Sequence, residues 1–357
     1  MPNILDNFAE LKKLDAKNML GSIEKLGDQI AQVWDEAEKV KIPASYNKVE
    51  NVVVAGMGGS ALGAHLILSL FKNELKVPVQ IVNDYFLPAY VGSHTLVVAS
   101  SYSGNTEETV NAVKEALKHK AKVLVICSGG TLQDWAQSQS LPVLVFSTNN
   151  NPCNSPRMGL GYSIFGQLAL FSKLQLIKFT KAHLEQSLSA IKNFQNQFGV
   201  AVPTALNPAK NLAENVLGKS GWFIAGEHLS GNAHVAANQL NENAKRFGGY
   251  FLAPELNHHL MEGLLHPHCN IEELMFILLE SPLYDEKIKK RLAITKEILT
   301  KNRIHNLSYV CQAKTALEQV CEALLLFSYV SFYSAVSEGI DPTDIPFVDY
   351  FKSQLSK

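Results

Sequence analysis

The feature that most constrains this chain is a run of consecutive β-branched residues that ends in glycines: residues 52–63 read VVVAGMGGSALG. Apolar residues on successive positions, rather than alternating ones, belong to a strand buried on both faces, as parallel strands are. The glycines let the backbone turn sharply into a helix, whose N-terminus presents free N–H groups and the positive end of its dipole. The pattern recurs. Strand-like runs at 51–56, 79–82, 96–100, 122–128 and 142–147 are separated by helix-length segments such as 61–72 and 106–119. After a helical stretch over about 155–218, four more runs follow at 221–226, 249–253, 274–280 and 307–311, with a helix at 287–302 between the last two. This β–α alternation predicts an α/β fold of doubly wound parallel sheets, and 357 residues favour two domains. The polar segment 149–156 (NNNPCNSP) reads as a loop ending the first sheet, and 199–208 as the joint between domains.

Composition narrows the function classes. Apolar residues are 46% and charged residues 18% of the chain, enough to fill real cores. Lys and Arg number 32 against 33 Asp and Glu, so no basic excess exists to bind a phosphate backbone, and no nucleic-acid partner is expected. The most apolar stretch, 323–336, lies between Glu322 and Glu338 and contains Ser328, Ser331 and Ser334. It is shorter than the roughly 20 residues a membrane span needs and reads as a buried core helix, with no membrane partner. The first fifteen residues mix charge with apolar residues and have no signal-peptide core. Cys127, Cys153, Cys269, Cys311 and Cys321 are scattered, without a CxxC pair, as reduced thiols of a cytoplasmic protein are.

Two turns carry chemistry. Residues 56–61 fit G-x-G-x-x-A, and Asp84 ends the second strand where a dinucleotide ribose contact would fall. A tight turn without a ligand is the plainer account. The second turn, in LVVASSYSGNTEET (96–109), is dense in hydroxyls: Ser100, Ser101, Ser103 and Thr106. A nicotinamide has no use for them, whereas a phosphate dianion accepts from hydroxyls and turn N–H groups alike. Capping by Asn105 or Thr106, with Glu107 and Glu108 in the first turn, explains part of this segment but not the other hydroxyls.

GMGGSALG (56–63) together with SYSGNTEET (101–109) resembles the sugar isomerase (SIS) domain of phosphosugar isomerases and phosphosugar-binding proteins. The resemblance implies that Gly59, Ser60, Ser101, Ser103 and Thr106 hold the phosphate of a sugar phosphate, and it displaces the dinucleotide reading.

In the second half, a helix is predicted from Ser230 to about Arg246, with Ala233, Ala236, Ala237, Leu240 and Ala244 as a small packing face. Glu242 lies late in it, at the negative end of the dipole, where a raised pKa suits a general base. An ordinary pairing with Lys245 or Arg246 is the alternative. Residues 254–259 (PELNHH), with Glu262, His266 and His268, form a histidine-rich cluster. His258 and Glu262 are spaced i, i+4, but there is no HExxH and no cysteine partner, so no metal site is expected.

LNENAK followed by PELNH is similar to the dual-specificity phosphoglucose/phosphomannose isomerases, over about 52–352. That resemblance implies two SIS domains, each a three-layer αβα sandwich. A helical segment at 1–45 would precede a first domain at 46–198 and a second at 199–357. It implies that Glu242 is the catalytic base and that His258 opens the sugar ring. The family usually has Asn after this His, where this chain has His259, so the choice of imidazole lies between the two, and position favours His258. Arg157, in SPRMG, would stabilise the negative intermediate. After Asp341-Pro342-Thr343, a final helix would bring Lys352 to the site, unless Lys352 is simply solvated. The implied reaction interconverts glucose 6-phosphate or mannose 6-phosphate with fructose 6-phosphate through a cis-enediol(ate), without metal or cofactor. The implied assembly is a homodimer with shared sites, His258 coming from the neighbouring subunit. A non-catalytic phosphosugar sensor and an amino-sugar phosphate isomerase are the alternatives. A sensor has no need of a base, and amino-sugar isomerases usually carry an amidotransferase domain with an N-terminal cysteine nucleophile, which this sequence does not show.

Overall fold

A computed structural model of the protein describes residues 4–355. The first three residues of the expected N-terminal segment and the last two of the expected second domain lie outside the described residues. Three helices open the chain: α1 (Phe8–Leu14), α2 (Met19–Glu24) and α3 (Leu26–Glu38). The first sheet follows as β1 (Asn51–Ala55), α4 (Leu62–Leu70), β2 (Val79–Val82), β3 (Thr95–Ser101), α5 (Glu107–Lys118), β4 (Lys122–Cys127), α6 (Gly130–Ser138) and β5 (Val143–Val145). Helices α7 (Gly166–Lys173), α8 (Lys181–Phe198) and α9 (Pro208–Val216) lead to the second sheet. It comprises β6 (Ser220–Gly226), α10 (Ser230–Asn243), β7 (Gly248–Ala253), α11 (Asn270–Glu273), β8 (Leu274–Glu280), α12 (Glu286–Lys301) and β9 (His305–Val310). Helices α13 (Ala316–Ser337) and α14 (Pro346–Leu355) complete the described chain.

Both sheets are wholly parallel, with strand orders β2-β1-β3-β4-β5 and β7-β6-β8-β9. All nine strand-like runs of the sequence are strands. Val52, Val53 and Val54 are fully buried, as a central strand covered on both faces requires. In each sheet the chain leaves the first strand to one side and returns on the other. This places the turns after β1 and β3, and those after β6 and β8, beside each other at the C-terminal edges, where open α/β sheets form a ligand crevice.

The expected core helix at 323–336 is part of the longer α13. Its 22 residues are long and apolar enough to cross a membrane, but 94% of its apolar window is buried inside the protein, against α8, α9 and α10. It extends beyond the apolar stretch because Glu322 is itself buried, its carboxylate accepting from Tyr309 Oη–H and the N–H groups of Gln312 and Ala313. Helix α10 stops three residues short of the expected Arg246. Lys245 takes a left-handed φ of 51°, which ends a helix. At its other end α10 crosses α4 closely: a Cβ on Gly231 would lie 2.9 Å from the backbone of His65 and Leu66. The expected joint at 199–208 is firmly held. Asn207 donates to the carbonyls of Phe198 and Gly199, and the Lys210 ammonium donates to those of Val200 and Val202.

Candidate active site

The turns after β1 and β3 form one polar crevice. After β1 a short 3-10 turn, Gly58–Ser60, leads into α4, and the Ser60 Oγ accepts the Tyr102 N–H at 2.9 Å, tying the two turns together. In the second turn the Ser101 and Thr106 hydroxyls share a hydrogen bond of 2.8 Å. Ser101 also accepts the Gly104 N–H at 3.1 Å, and Ser103 accepts the Asn105 N–H at 3.2 Å. Thr106 occupies the N-cap of α5, yet its hydroxyl bonds Ser101 and makes no capping bond. The first-turn N–H groups of α5 are therefore uncapped by it, and an anion is their natural partner. Gly59, Ser60 and Ser101 line one small crevice with Ser100 and Tyr102, while Ser103 and Thr106 lie in the same turn as Ser101 but outside that lining. Asp84, considered for a ribose, instead accepts the N–H groups of Tyr85 and Phe86, closing its own turn.

The corresponding crevice of the second sheet holds a carboxylate. Glu227, just after β6, accepts the Asp285 N–H at 3.2 and 3.3 Å. A carboxylate at that place repels an anion, whereas the turns after β1 and β3 form a cradle of hydroxyl and N–H groups.

Arg157 connects that cradle to the second half of the chain. It sits in a 3-10 turn, Pro156–Met158, packed directly on Gly59, where a Cβ would lie 3.2 Å from the Pro156 carbonyl and 3.3 Å from the Arg157 Cα. A side chain at residue 59 would press on that turn. The guanidinium is 3% exposed. Its Nε donates to Asn243 Oδ1 at 2.5 Å, and its Nη2 donates to the carbonyls of Pro342 and Thr343 at 3.2 and 2.8 Å. Nη1 faces the Glu242 carboxylate at 3.7 Å.

Glu242 is the penultimate residue of α10 and about one-third exposed. Burial pushes its carboxyl above the ordinary carboxylate range, while the charges of Arg157, Lys352 and Lys245 pull it back. The sequence-based expectation of a raised value holds, with burial as its main cause. The local pairing alternative does not: Lys245 donates to the carbonyls of Asn243 and Asp341, and Arg246 pairs with Glu338. Burial and the neighbouring Arg157 hold Lys245 down to about 8. Lys352, exposed on α14, lies near enough for its charge to act on Glu242.

His258 is not brought to Glu242 within the chain. It lies in a short 3-10 turn, Glu255–His258, just beyond β7. Ala253 at the end of β7 pairs with Gly226 at the end of β6, beside the start of α10, whereas Glu242 is at the far end of that helix. The run of α10 from Ser230 to Glu242, about 18 Å at 1.5 Å per residue, lies between the two edges. The His258 ring is exposed, while His259 pairs with Glu255 at 2.8 Å. Among the described residues no group of three or more His, Cys, Asp and Glu side chains is arranged to hold a metal ion.

Sequence reasoning passed over Asn243, which holds Arg157, and the Pro342 and Thr343 carbonyls that help it. Asn243 adjoins Glu242 in the Asn-Glu-Asn segment, but its partner is 86 residues away, and no local pattern reports such a contact.

Comparison with known proteins fits this arrangement. Residues 205–355 match the bacterial phospho-glucose isomerase C-terminal SIS domain, and residues 45–147 match the SIS domain. The bifunctional phosphoglucose/phosphomannose isomerase of Caldicellulosiruptor bescii is 30% identical over 344 residues, covering 95% of this chain and 99% of the relative. That of Thermoplasma volcanium is 27% identical, covering 89% and 96%. Among solved structures, a hypothetical protein from Thermus thermophilus superposes with a TM-score of 0.71 at 18% identity, covering 98% of this chain and 93% of that one.

Proposed function

The chain belongs to the family of bifunctional phosphoglucose/phosphomannose isomerases, and from that premise we propose how its own residues carry the reaction. It is an aldose–ketose isomerase acting on glucose 6-phosphate and mannose 6-phosphate to give fructose 6-phosphate. Gly59, Ser60, Ser101, Ser103 and Thr106 anchor the phosphate through neutral donors and the α5 N-terminus, fixing the distant C1 and C2 carbons relative to the base. Glu242 takes the C2 proton to give a cis-enediol(ate) and returns it to C1. Arg157 stabilises the developing oxyanion in a water-poor site, where such help is strongest. The two aldoses differ only at C2 and share the enediol, so one base serves both. The proton moves within the substrate, and no metal or cofactor is needed.

The observation that carries this reading is the meeting of Arg157 and Glu242 at 3.7 Å beside the phosphate cradle. A passive sensor has no use for a half-buried carboxylate with a raised pKa facing a buried cation. Ring opening requires a second proton carrier. His258 lies at the opposite edge of the second sheet from its own chain's Glu242, which supports a homodimer in which the partner's His258 completes each site. Lys352 assists it. All five cysteines are free, which accords with a reducing, cytoplasmic setting.

The direct test is a coupled assay of fructose 6-phosphate formed from each aldose, with and without EDTA. Both aldoses should be turned over at rates that EDTA leaves unchanged. Loss of activity in EDTA, restored by zinc, overturns the metal-free mechanism.

A further inference from the structure

Asn243 sits where its chemistry matters more than its size. Of the Arg157 nitrogens, Nε bonds its side-chain carbonyl and Nη2 bonds the backbone carbonyls of Pro342 and Thr343. All three acceptors are neutral. The guanidinium is thus oriented by neutral groups, and its Nη1 is left to face the Glu242 carboxylate. Buried arginines are most often matched by a carboxylate, which would cancel their charge.

The orientation of the Asn243 amide is itself dictated. Ser331 Oγ–H donates to the Ser328 carbonyl inside α13, so the Ser331 oxygen can only accept. It accepts the Asn243 Nδ2–H at 3.0 Å, and Met158 Sδ accepts from the same amide at 3.4 Å. With its NH2 end fixed there, the amide must present Oδ1 to Arg157. The chain of polarity runs from the α13 backbone through Ser331 and Asn243 to the guanidinium, with every member buried.

We infer that Asn243 is a positioning residue that aims Arg157 at the reacting carbons without adding a second carboxylate to Glu242, which already faces it. This rests on the isomerase reading above, and it specifies a requirement that reading does not contain: the acceptor at 243 must be uncharged. An anion there divides the field of Arg157 between two carboxylates, weakening both its hold on the enediolate and its downward pull on Glu242. The charged and titratable groups bearing on Glu242 are Arg157, Lys352 and Lys245, and those bearing on Arg157 are Glu242, Lys245, Asp349, Asp341 and the Cys153 thiol.

The test is Asn243→Asp, which keeps the shape and the acceptor and adds only charge. It should lower kcat about ten- to a hundredfold with KM for fructose 6-phosphate changed less than about threefold. It should also move the acidic limb of the kcat/KM–pH profile to higher pH. A limb coincident with that of the wild type, or a loss residing in KM, overturns the inference. Ser331→Ala frees the amide without adding charge. It should lower kcat severalfold with the limb unmoved, and an unchanged kcat overturns the inference even where the aspartate variant does not fold. Failure of the isomerase reading shows separately, as solvent-hydrogen exchange at C2 that survives in Glu242→Gln.

Discussion

His258 lies in the turn beyond β7, at the edge of the second sheet where α10 begins, and Glu242 lies near the other end of that helix. A side chain of either kind reaches only a few ångströms, so no rotamer change brings the two together in one subunit. Mixing Glu242→Gln subunits with His258→Ala subunits should therefore restore activity that neither has alone. In a twofold dimer, random exchange makes half the molecules hybrids, each with one intact site, so recovery should approach roughly a quarter of wild type. No recovery after exchange has been verified by mass spectrometry sinks the shared site.

Glu242→Gln should reduce kcat by about 10²–10⁴-fold and abolish solvent exchange at C2, with phosphate affinity retained. It should also make the protein more stable at neutral pH. A carboxyl whose pKa is raised in the folded state binds its proton more tightly there than in the unfolded chain, so stability falls as pH rises from the ordinary carboxylate range through the folded value. Glutamine removes that cost. Denaturation midpoints of the two proteins should differ at pH 7 and converge below the ordinary carboxylate range. Equal midpoints at pH 7 contradict the raised pKa.

Ser101→Ala with Ser103→Ala should raise KM for both sugar phosphates. Each lost neutral hydrogen bond costs about 0.5–1.5 kcal/mol, which sets the combined effect at about 5- to 150-fold. An unaltered KM in the double variant relocates the phosphate.

Gly231→Ala tests the crossing of α10 on α4. In an open helix this change stabilises by about 1 kcal/mol. Here the new methyl meets backbone at 2.9 Å, and overpacking of that kind costs about 1–3 kcal/mol. The expected sign is a net loss on chemical denaturation, accompanied by lower kcat, because α10 carries Glu242 at its other end. A gain in stability means the helices separate freely.

The sheets were legible because central parallel strands write themselves as unbroken β-branched runs: Val52 to Val54 and Val97 to Val98 are fully buried. The two hydroxyl-rich turns were legible because their residues are local in sequence. What escaped is what depends on distant partners. Glu322 looks like a polar boundary in sequence, yet its charge is met by N–H groups of the segment after β9, so α13 runs through it. The end of α10 hung on the left-handed turn of Lys245, a residue with no intrinsic preference for that conformation. The partners of Arg157 lie 86 and more residues downstream, and only the packing of one sheet's helices on the other's reveals them.

That packing has a consequence for how such a chain can change over time. The cation of the site is rooted beside the first sheet, and the groups that aim it are rooted beside the second. The chemistry therefore has no address in either half. A lobe swapped in from a relative would bring a sound scaffold and leave the guanidinium without its clamp. A loosened contact at Thr343 would have to be answered across the seam at Arg157. The two lobes share an architecture, but the seam couples them: a change at Asn243 or Thr343 on one side alters the setting of Arg157 on the other.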